Sequence, residues 1–300
     1  YGDHRDLHLS IRRQRQMCIR DSIISVGVNA LSQLEAIEKF QKIEGLDKTI
    51  CLIPEDRFRD EIEKALSSTN IKLKKKYFYE SDPTLLTKRI EQITKYDRRK
   101  QNLADEIKRV EESDEFNKEK IIENLEKKDT LGKVNFDSVI ISAFDETLKS
   151  ITTSLIYTDV TPKKTYFITL NQWFDESLLN EDSSQNLYFP SVNKKNFDEF
   201  KQEYFKKYSS EPNQISLLGF DMVGLIFYLS KVNNFQLNNK IFDQKNTFKG
   251  KIGLFEIEDK RIKHVLNFYK VENNKFKKIC LLYTSPSPRD LSTSRMPSSA

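Results

Sequence analysis

Residues 136–170 read FDSVIISAFDETLKSITTSLIYTDVTPKKTYFITL. Val139, Ile140 and Ile141 form a short continuous apolar run, the pattern of a strand covered on both faces. A small polar loop follows, Ser142 to Glu146. Leu148, Ile151, Leu155 and Ile156 then recur at three- and four-residue spacing, which predicts an amphipathic helix. Pro162 ends it, and Tyr166, Phe167 and Ile168 open a second strand. Strand, loop, helix, strand is a βαβ unit, whose two strands run parallel with a right-handed crossover. In open α/β sheets ligands meet the loops at the carboxyl ends of strands. Here those loops are Ser142-Ala143-Phe144-Asp145 and Asn171-Gln172-Trp173. They make Phe144, Asp145, Asn171 and Trp173 candidates for a binding cleft.

Working outward, the same alternation continues. Residues 23–30, IISVGVNA, read as a strand that brings Asn29 toward the cleft. Leu34, Ile37 and Phe40 mark a helix that ends near Gly45. Thr49 to Ile53 is a buried strand with the loop Pro54-Glu55-Asp56, and a helix with Phe58, Ile62 and Leu66 on one face follows. Glu55 and Asp145 follow separate strands; each is either a solvated loop residue or a ligand contact in one shared cleft. Ile71 to Tyr79 is a strand whose four lysines predict a sheet edge. Thr84 to Ile93 is a helix. Residues 96–130 are mostly charged and read as two solvated helices or one bent helix, either as a plain charged face in water or as a partner-docking arm. Asp175 to Asn186 is linker-like and Leu187 to Pro190 is extended. Phe197, Phe200, Tyr204 and Tyr208 line a helix stopped at Glu211-Pro212. Gln214 to Lys231 is the most apolar helix of the chain, interrupted in charge by Asp221 alone, and is expected to be buried on most sides. Three strands close the sequence: Ile252 to Ile257, Val265 to Val271 and Phe276 to Ile279.

The formal net charge of the 300 residues is +5, but the ends differ from the middle. Residues 1–22 and 281–300 hold seven Arg and no Lys, whereas 23–280 holds 36 Lys and 7 Arg. Both ends resemble translated sequencing adapter and are set aside as non-native. The remaining 23–280 carries 43 basic and 41 acidic side chains, a net charge of +2, which removes the case for a nucleic-acid partner. Cys51 lies inside this core and Cys280 at its margin, so neither a disulfide framework nor a cysteine metal cluster is expected. No apolar run approaches the roughly 18 residues that span a bilayer. There is no glycine-rich phosphate loop, no H-E-x-x-H and no G-x-S-x-G. His264 is the sole histidine of the core and sits among Lys260, Arg261 and Lys263, which predicts a surface position. No catalytic triad, zinc site or cofactor is expected from this inventory. Trp173, the sole tryptophan, either stacks on a ligand or caps the core.

The order of elements resembles a known family. VGVNALSQLEAIEKFQKIEGLDKTICLIPEDRFRDEIEKALSSTNIKLKKKYFYE, residues 26–80, is similar to the second lobe of type I periplasmic binding proteins. Pro54-Glu55-Asp56-Arg57-Phe58-Arg59 stands where that family has P-D-x-x-Y-G, without the Tyr-Gly pair. Residues 196–226 resemble the return helices of the first lobe, with Phe220-Asp221 in place of Tyr-Asp-Ala. Residues 248–279 resemble the closing hairpin F-x-G-x-x-G-x-F, through Phe248, Gly250, Gly253 and Phe255. Tyr96-Asp97-Arg98-Arg99, opening the charged insertion, is similar to the penicillin-binding protein activator branch. The resemblance implies an α/β, two-lobed fold with parallel sheets: 23–180 as second lobe, a helical insertion at 96–130, and 181–280 as the remaining part of an incomplete first lobe plus the hairpin. It implies a truncated amino end, and a non-enzymatic periplasmic protein or outer-membrane-anchored lipoprotein. Two functions follow: activation of a peptidoglycan synthase, a penicillin-binding protein, by contact; or solute binding for an ABC importer permease. In the second, an amino-acid-like ligand lies between Phe144 and Trp173, with Asp145 or Glu55 taking its amine.

Overall fold

The computed structural model of the chain describes residues 28–114, 116–170, 174–232, 234, 246–251, 253–258 and 261–280. Both adapter-like ends, Asn171 and Trp173 lie outside these residues. Helix α1 (Ala30–Glu44) opens the fold. Asn29 caps it, its Oδ1 accepting from the Ser32 N–H at 2.8 Å, so 28–29 lead into a helix and do not form the end of a strand. Gly45 ends it at φ +68, the left-handed conformation that favours glycine. Then come β1 (Thr49–Pro54), α2 (Arg59–Ser67), β2 (Leu73–Tyr79) and α3 (Pro83–Thr94). Lys95, at φ 53, joins α3 directly to α4 (Tyr96–Glu111), and α5 (Lys118–Glu126) follows. The charged insertion is therefore two helices.

The deciding stretch forms β3 (Ser138–Ile141), α6 (Asp145–Tyr157) and β4 (Tyr166–Thr169). β3 and β4 are parallel, Val139 opposite Phe167. Beyond them are two short 3-10 turns (Glu176–Asn180, Asp182–Ser184), β5 (Leu187–Ser191), α7 (Lys194–Tyr208) and α8 (Gln214–Val232). Strands β6 (Asn246–Lys249), β7 (Leu254–Glu258), β8 (Arg261–Val265), β9 (Asn267–Glu272) and β10 (Lys275–Ile279) end the described chain.

Seven strands form one sheet in the order β10-β9-β5-β4-β3-β1-β2. β1 to β5 are parallel to their neighbours, and β9 joins β5 antiparallel. β2 is the edge, its lysines exposed as its sequence predicts. The chain moves from β1 outward to β2, then back across β1 to β3. With right-handed crossovers this reversal places α1 and α2 on one face and α3 and α6 on the other. The central strands carry the core: Ile50 to Ile53, Val139 to Ile141, Phe167 and Leu187 are each at most 2% exposed. Val265 to Val271 is not one strand. It breaks at the buried Leu266, and β8 pairs with β7 in a separate three-stranded sheet, β6-β7-β8.

Two expectations about the last third are corrected. α8 is not buried on most sides: Leu217, Leu225 and Leu229 point inward, but Ile215, Phe220, Val223, Phe227 and Val232 are each more than half exposed. The helix is apolar around its whole circumference, so its sequence carries no sign of which side has a neighbour. The 18 residues Ile215–Val232, mean hydropathy 1.6, are also long and apolar enough to cross a membrane by length and composition alone. The few polar members, among them Asp221, interrupt the run and still leave that average. His264 is not a surface residue. It is 6% exposed, faces Phe255 with ring centroids 4.3 Å apart, and its Nε2 has no hydrogen-bond partner. Alternation along β8 turns it inward, and the charge around it in sequence was no guide to its burial.

Candidate functional site

The reversal of strand order falls between β1 and β3, and the loops leaving their carboxyl ends part there. Two adjoining recesses open at this point, of about 170 and 480 Å³. Both are lined by Pro54, Phe58, Ser142 and Phe144. The rings of Phe58 and Phe144 meet edge to face, centroids 6.1 Å apart, and divide the two. The smaller recess is closed by Val28, Asn29, Ile62 and Leu170; the larger reaches Arg57, Tyr79 and Thr147. Four parallel strands, β1 to β4, thus contribute through the residues at or just beyond their ends.

Local chemistry fixes these loops. Asp56 Oδ1 accepts from the Phe58 N–H at 2.8 Å, an Asx turn that starts α2 and aims the Phe58 ring. The Arg57 guanidinium lies 4.8 Å from that ring's centre. The Tyr79 hydroxyl donates to the Ser142 carbonyl at 3.0 Å, and the Ser142 N–H donates to Leu52 O at 3.0 Å, so the loop after β3 is tied to its neighbour β1 and, across β1, to the end of β2. Burial, with the nearby Asp56 carboxylate second, raises the Tyr79 pKa well above the usual phenol range, which keeps it a hydrogen-bond donor. Burial likewise pushes the Cys51 thiol up to about 12, so it is an inert core residue beneath the site. Ser142 Oγ is buried with no hydrogen-bond partner. Asp145 begins α6 at φ 51, and Thr147 of that helix's first turn lines the larger recess.

Of the residues the sequence singled out, Asn29 and Phe144 line the recess. Asn29 does so while engaged as the α1 cap. Asp145 is exposed at the start of α6, next to the lining but not part of it. Glu55 lies outside the lining too. Its N–H donates to Tyr79 O at 2.9 Å, and its carboxylate stands 4.0 Å from Arg59, along α2. The acid at the smaller recess is Glu61. Sequence reasoning passed over Tyr79, Arg57, Phe58 and Glu61. Phe58 had a signal, since it follows the β1 loop directly; Tyr79 had none, because its role depends on the register that sets it opposite Pro54. Among the described residues no group of three or more His, Cys, Asp and Glu is arranged to hold a metal ion.

No family profile matches the chain, and no curated protein does. Solved structures do resemble it. A branched chain amino acid ABC transporter periplasmic ligand-binding protein from Burkholderia xenovorans LB400 superposes with a TM-score of 0.57 at 8% identity, over 85% of this chain and 64% of that one. An extracellular ligand-binding receptor from Rhodopseudomonas palustris HaA2 gives 0.55 at 12% identity, over 87% and 70%. An ABC transporter solute binding protein from R. palustris, in complex with 4-hydroxybenzoate, gives 0.52 at 10% identity, over 83% and 64%. This chain spans between 40% and 70% of the length of the solved structures it resembles. At these identities the likeness concerns the fold alone: the chain has the mixed α/β architecture, with a mostly parallel sheet, of the two-lobed type I periplasmic-binding fold.

Proposed function

We propose that this chain is part of a non-enzymatic solute-binding protein that presents a small amphipathic ligand to an ABC importer permease outside the cytoplasmic membrane. The observation that carries this reading is the recess between β1 and β3, walled by Phe58 and Phe144 and floored by Ser142. It combines apolar walls with a few convergent polar groups, the composition of small-molecule sites. Arg57 and the first turn of α6 suit a carboxylate, and Glu61 suits an amine, so an amino acid fits the charge arrangement. Asn29 and Phe144 are the ligand contacts retained from the sequence, joined by Arg57, Tyr79 and Glu61; Glu55 and Asp145 stand as rim positions, and Asn171 and Trp173 lie outside the described residues. The lobe that holds the recess takes in more than the 23–180 read from the sequence, because β5, β9 and β10 belong to the same sheet as β1 to β4. The test is calorimetric titration of the chain with branched-chain amino acids and with 4-hydroxybenzoate, the classes named for two structural neighbours. Saturable binding that falls at least tenfold in Phe144→Ala supports the reading; binding of none of them overturns it.

A second reading, contact with a peptidoglycan synthase, is favoured by one feature. The α4–α5 pair has its own small core, Leu103, Val110 and Leu125, and turns a densely charged surface outward. Reversing the exposed Lys100, Lys108 and Lys120 would abolish co-purification with a penicillin-binding protein under this reading and leave solute titration unchanged. Retained co-purification would sink it.

A further inference from the structure

A recess of about 450 Å³ lies at the other end of the sheet, beneath the amino ends of β3 and β4. Arg99, from the first turn of α4, lines it and is only 5% exposed. Its Nε donates to Thr94 O at 3.1 Å, its Nη1 to Thr130 Oγ1 at 3.1 Å, and its Nη2 to the Thr158 carbonyl. All three acceptors are neutral. No carboxylate oxygen of the described residues is within ion-pair distance, 4.0 Å, of this guanidinium. Asp159 makes no direct hydrogen bond to Arg99 but acts on it by charge at longer range, and Thr130 links the two, its hydroxyl donating to Asp159 Oδ2 at 2.6 Å. A charge removed from water this far is costly without a direct counter-charge, and a guanidinium has more N–H donors than three bonds use. Lys133 and Lys164 stand exposed at the mouth and form no ion pair with a described residue. The lining thus sets three cations against one carboxylate. Between them the walls are apolar: Val134, Phe136 at 8% exposure and Val160 at 1%.

We infer that this recess binds a small molecule with a carboxylate on an apolar body, the carboxylate on Arg99 and the body against Phe136 and Val160. The volume and the walls decide between anions. A bare phosphate would leave most of the space, and the partly exposed Val134, in water, whereas an apolar body fills the space against Val134 and the small exposed edge of Phe136. The bonds of Arg99 already join the end of α3, the segment before β3 and the end of α6. An occupant would therefore tighten the joint that fixes α4 and α5 to the sheet, at the end remote from the recess of Phe144.

The experiment titrates the full chain with pentanoate and follows backbone amide resonances. Saturable shifts are expected at Gly132 to Phe136 and Val160 to Thr165, with Arg57, Phe58 and Ser142 to Asp145 unmoved. The exposed double variant Lys133→Glu, Lys164→Glu should weaken binding about tenfold and reduce its salt dependence, as expected for rim charges. Shifts confined to the loops of Phe58 and Phe144 would overturn the proposal, as would the absence of saturable shifts at millimolar pentanoate. So would unchanged affinity in the double variant, or inorganic phosphate saturating the same amides at lower concentration than pentanoate.

Discussion

Tyr79 shows how much of the site rests on single side chains. Its hydroxyl is the one described group that ties the end of β2 to the loop after β3, and it is 3% exposed. Removing it in Tyr79→Phe leaves the Ser142 carbonyl without this donor at a net loss of about 1 kcal/mol, measurable by denaturant unfolding. Ligand affinity should fall further than stability, because the freed loop carries Phe144. His264 gives a second residue-scale prediction. Burial lowers its pKa to about 4 from an ordinary 6.5, so the folded protein holds it neutral while the unfolded chain takes up a proton below pH 6.5. Its contribution is therefore fully present above pH 6.5 and is lost as pH falls toward 4. Two and a half pH units amount to about 3 kcal/mol. Unfolding midpoints measured from pH 7 to pH 4 should fall steeply in the native chain and less steeply in His264→Phe; parallel slopes would refute the assignment. Neither residue's role was legible in the sequence. That Phe144 would stand at the mouth of a recess was legible, because it lies in the loop directly after β3; Asn29 lines the same recess as a helix cap, not as the end of the strand its sequence suggested. Tyr79 and His264 depend on which face and which neighbour a strand finally meets.

Among elements, helices with a single apolar stripe were read well and α8 was not. α1 buries Leu34, Ile37 and Phe40, as their spacing predicts, and stops at Gly45. α8 has no polar face to orient it. Its inward side is marked instead by Asp221, 3% exposed, whose Oδ1 accepts from the Lys251 N–H at 2.6 Å, which draws the loop after β6 against the helix. The opposite side, with Val223 at 69% and Phe227 at 62% exposure, is a contiguous apolar surface of the kind that drives association. Replacing both by Lys should raise the monomer fraction in size-exclusion chromatography and leave the melting temperature within about 2 °C, since neither side chain contributes to the folded packing. A large drop in melting temperature would mean that this surface is covered in the folded protein.

For the whole molecule, the parallel part of the sheet was legible because each strand announces the next through a crossover helix, while the antiparallel part was not. Nothing local in Leu187 to Pro190 foretells that Phe189 will stand opposite Tyr269, 80 residues later in the chain. Pro190 lies beyond the pairing with β4, which runs through Leu187 and Tyr188, and stands opposite Phe268 of β9. That late pairing closes the fold. Phe40, on the first helix, is fully buried and stacks on Phe268 of β9 with ring centroids 4.2 Å apart, and it also meets Tyr188 at 5.3 Å and Tyr166 at 5.9 Å. One aromatic cluster thus joins the beginning of the described chain to its end. Phe40→Ala should cost about 3–5 kcal/mol, the loss expected for a buried phenylalanine in a packed core. Because the cluster bridges the sheet's parallel and antiparallel parts, the loss should also separate them. In hydrogen exchange, the slowest amides of β1 and β3 and those of β9 should open with one common free energy in the native chain. In Phe40→Ala, β9 should open at a lower free energy than β1. Equal opening in the variant would mean that the two parts are held together by something other than this cluster.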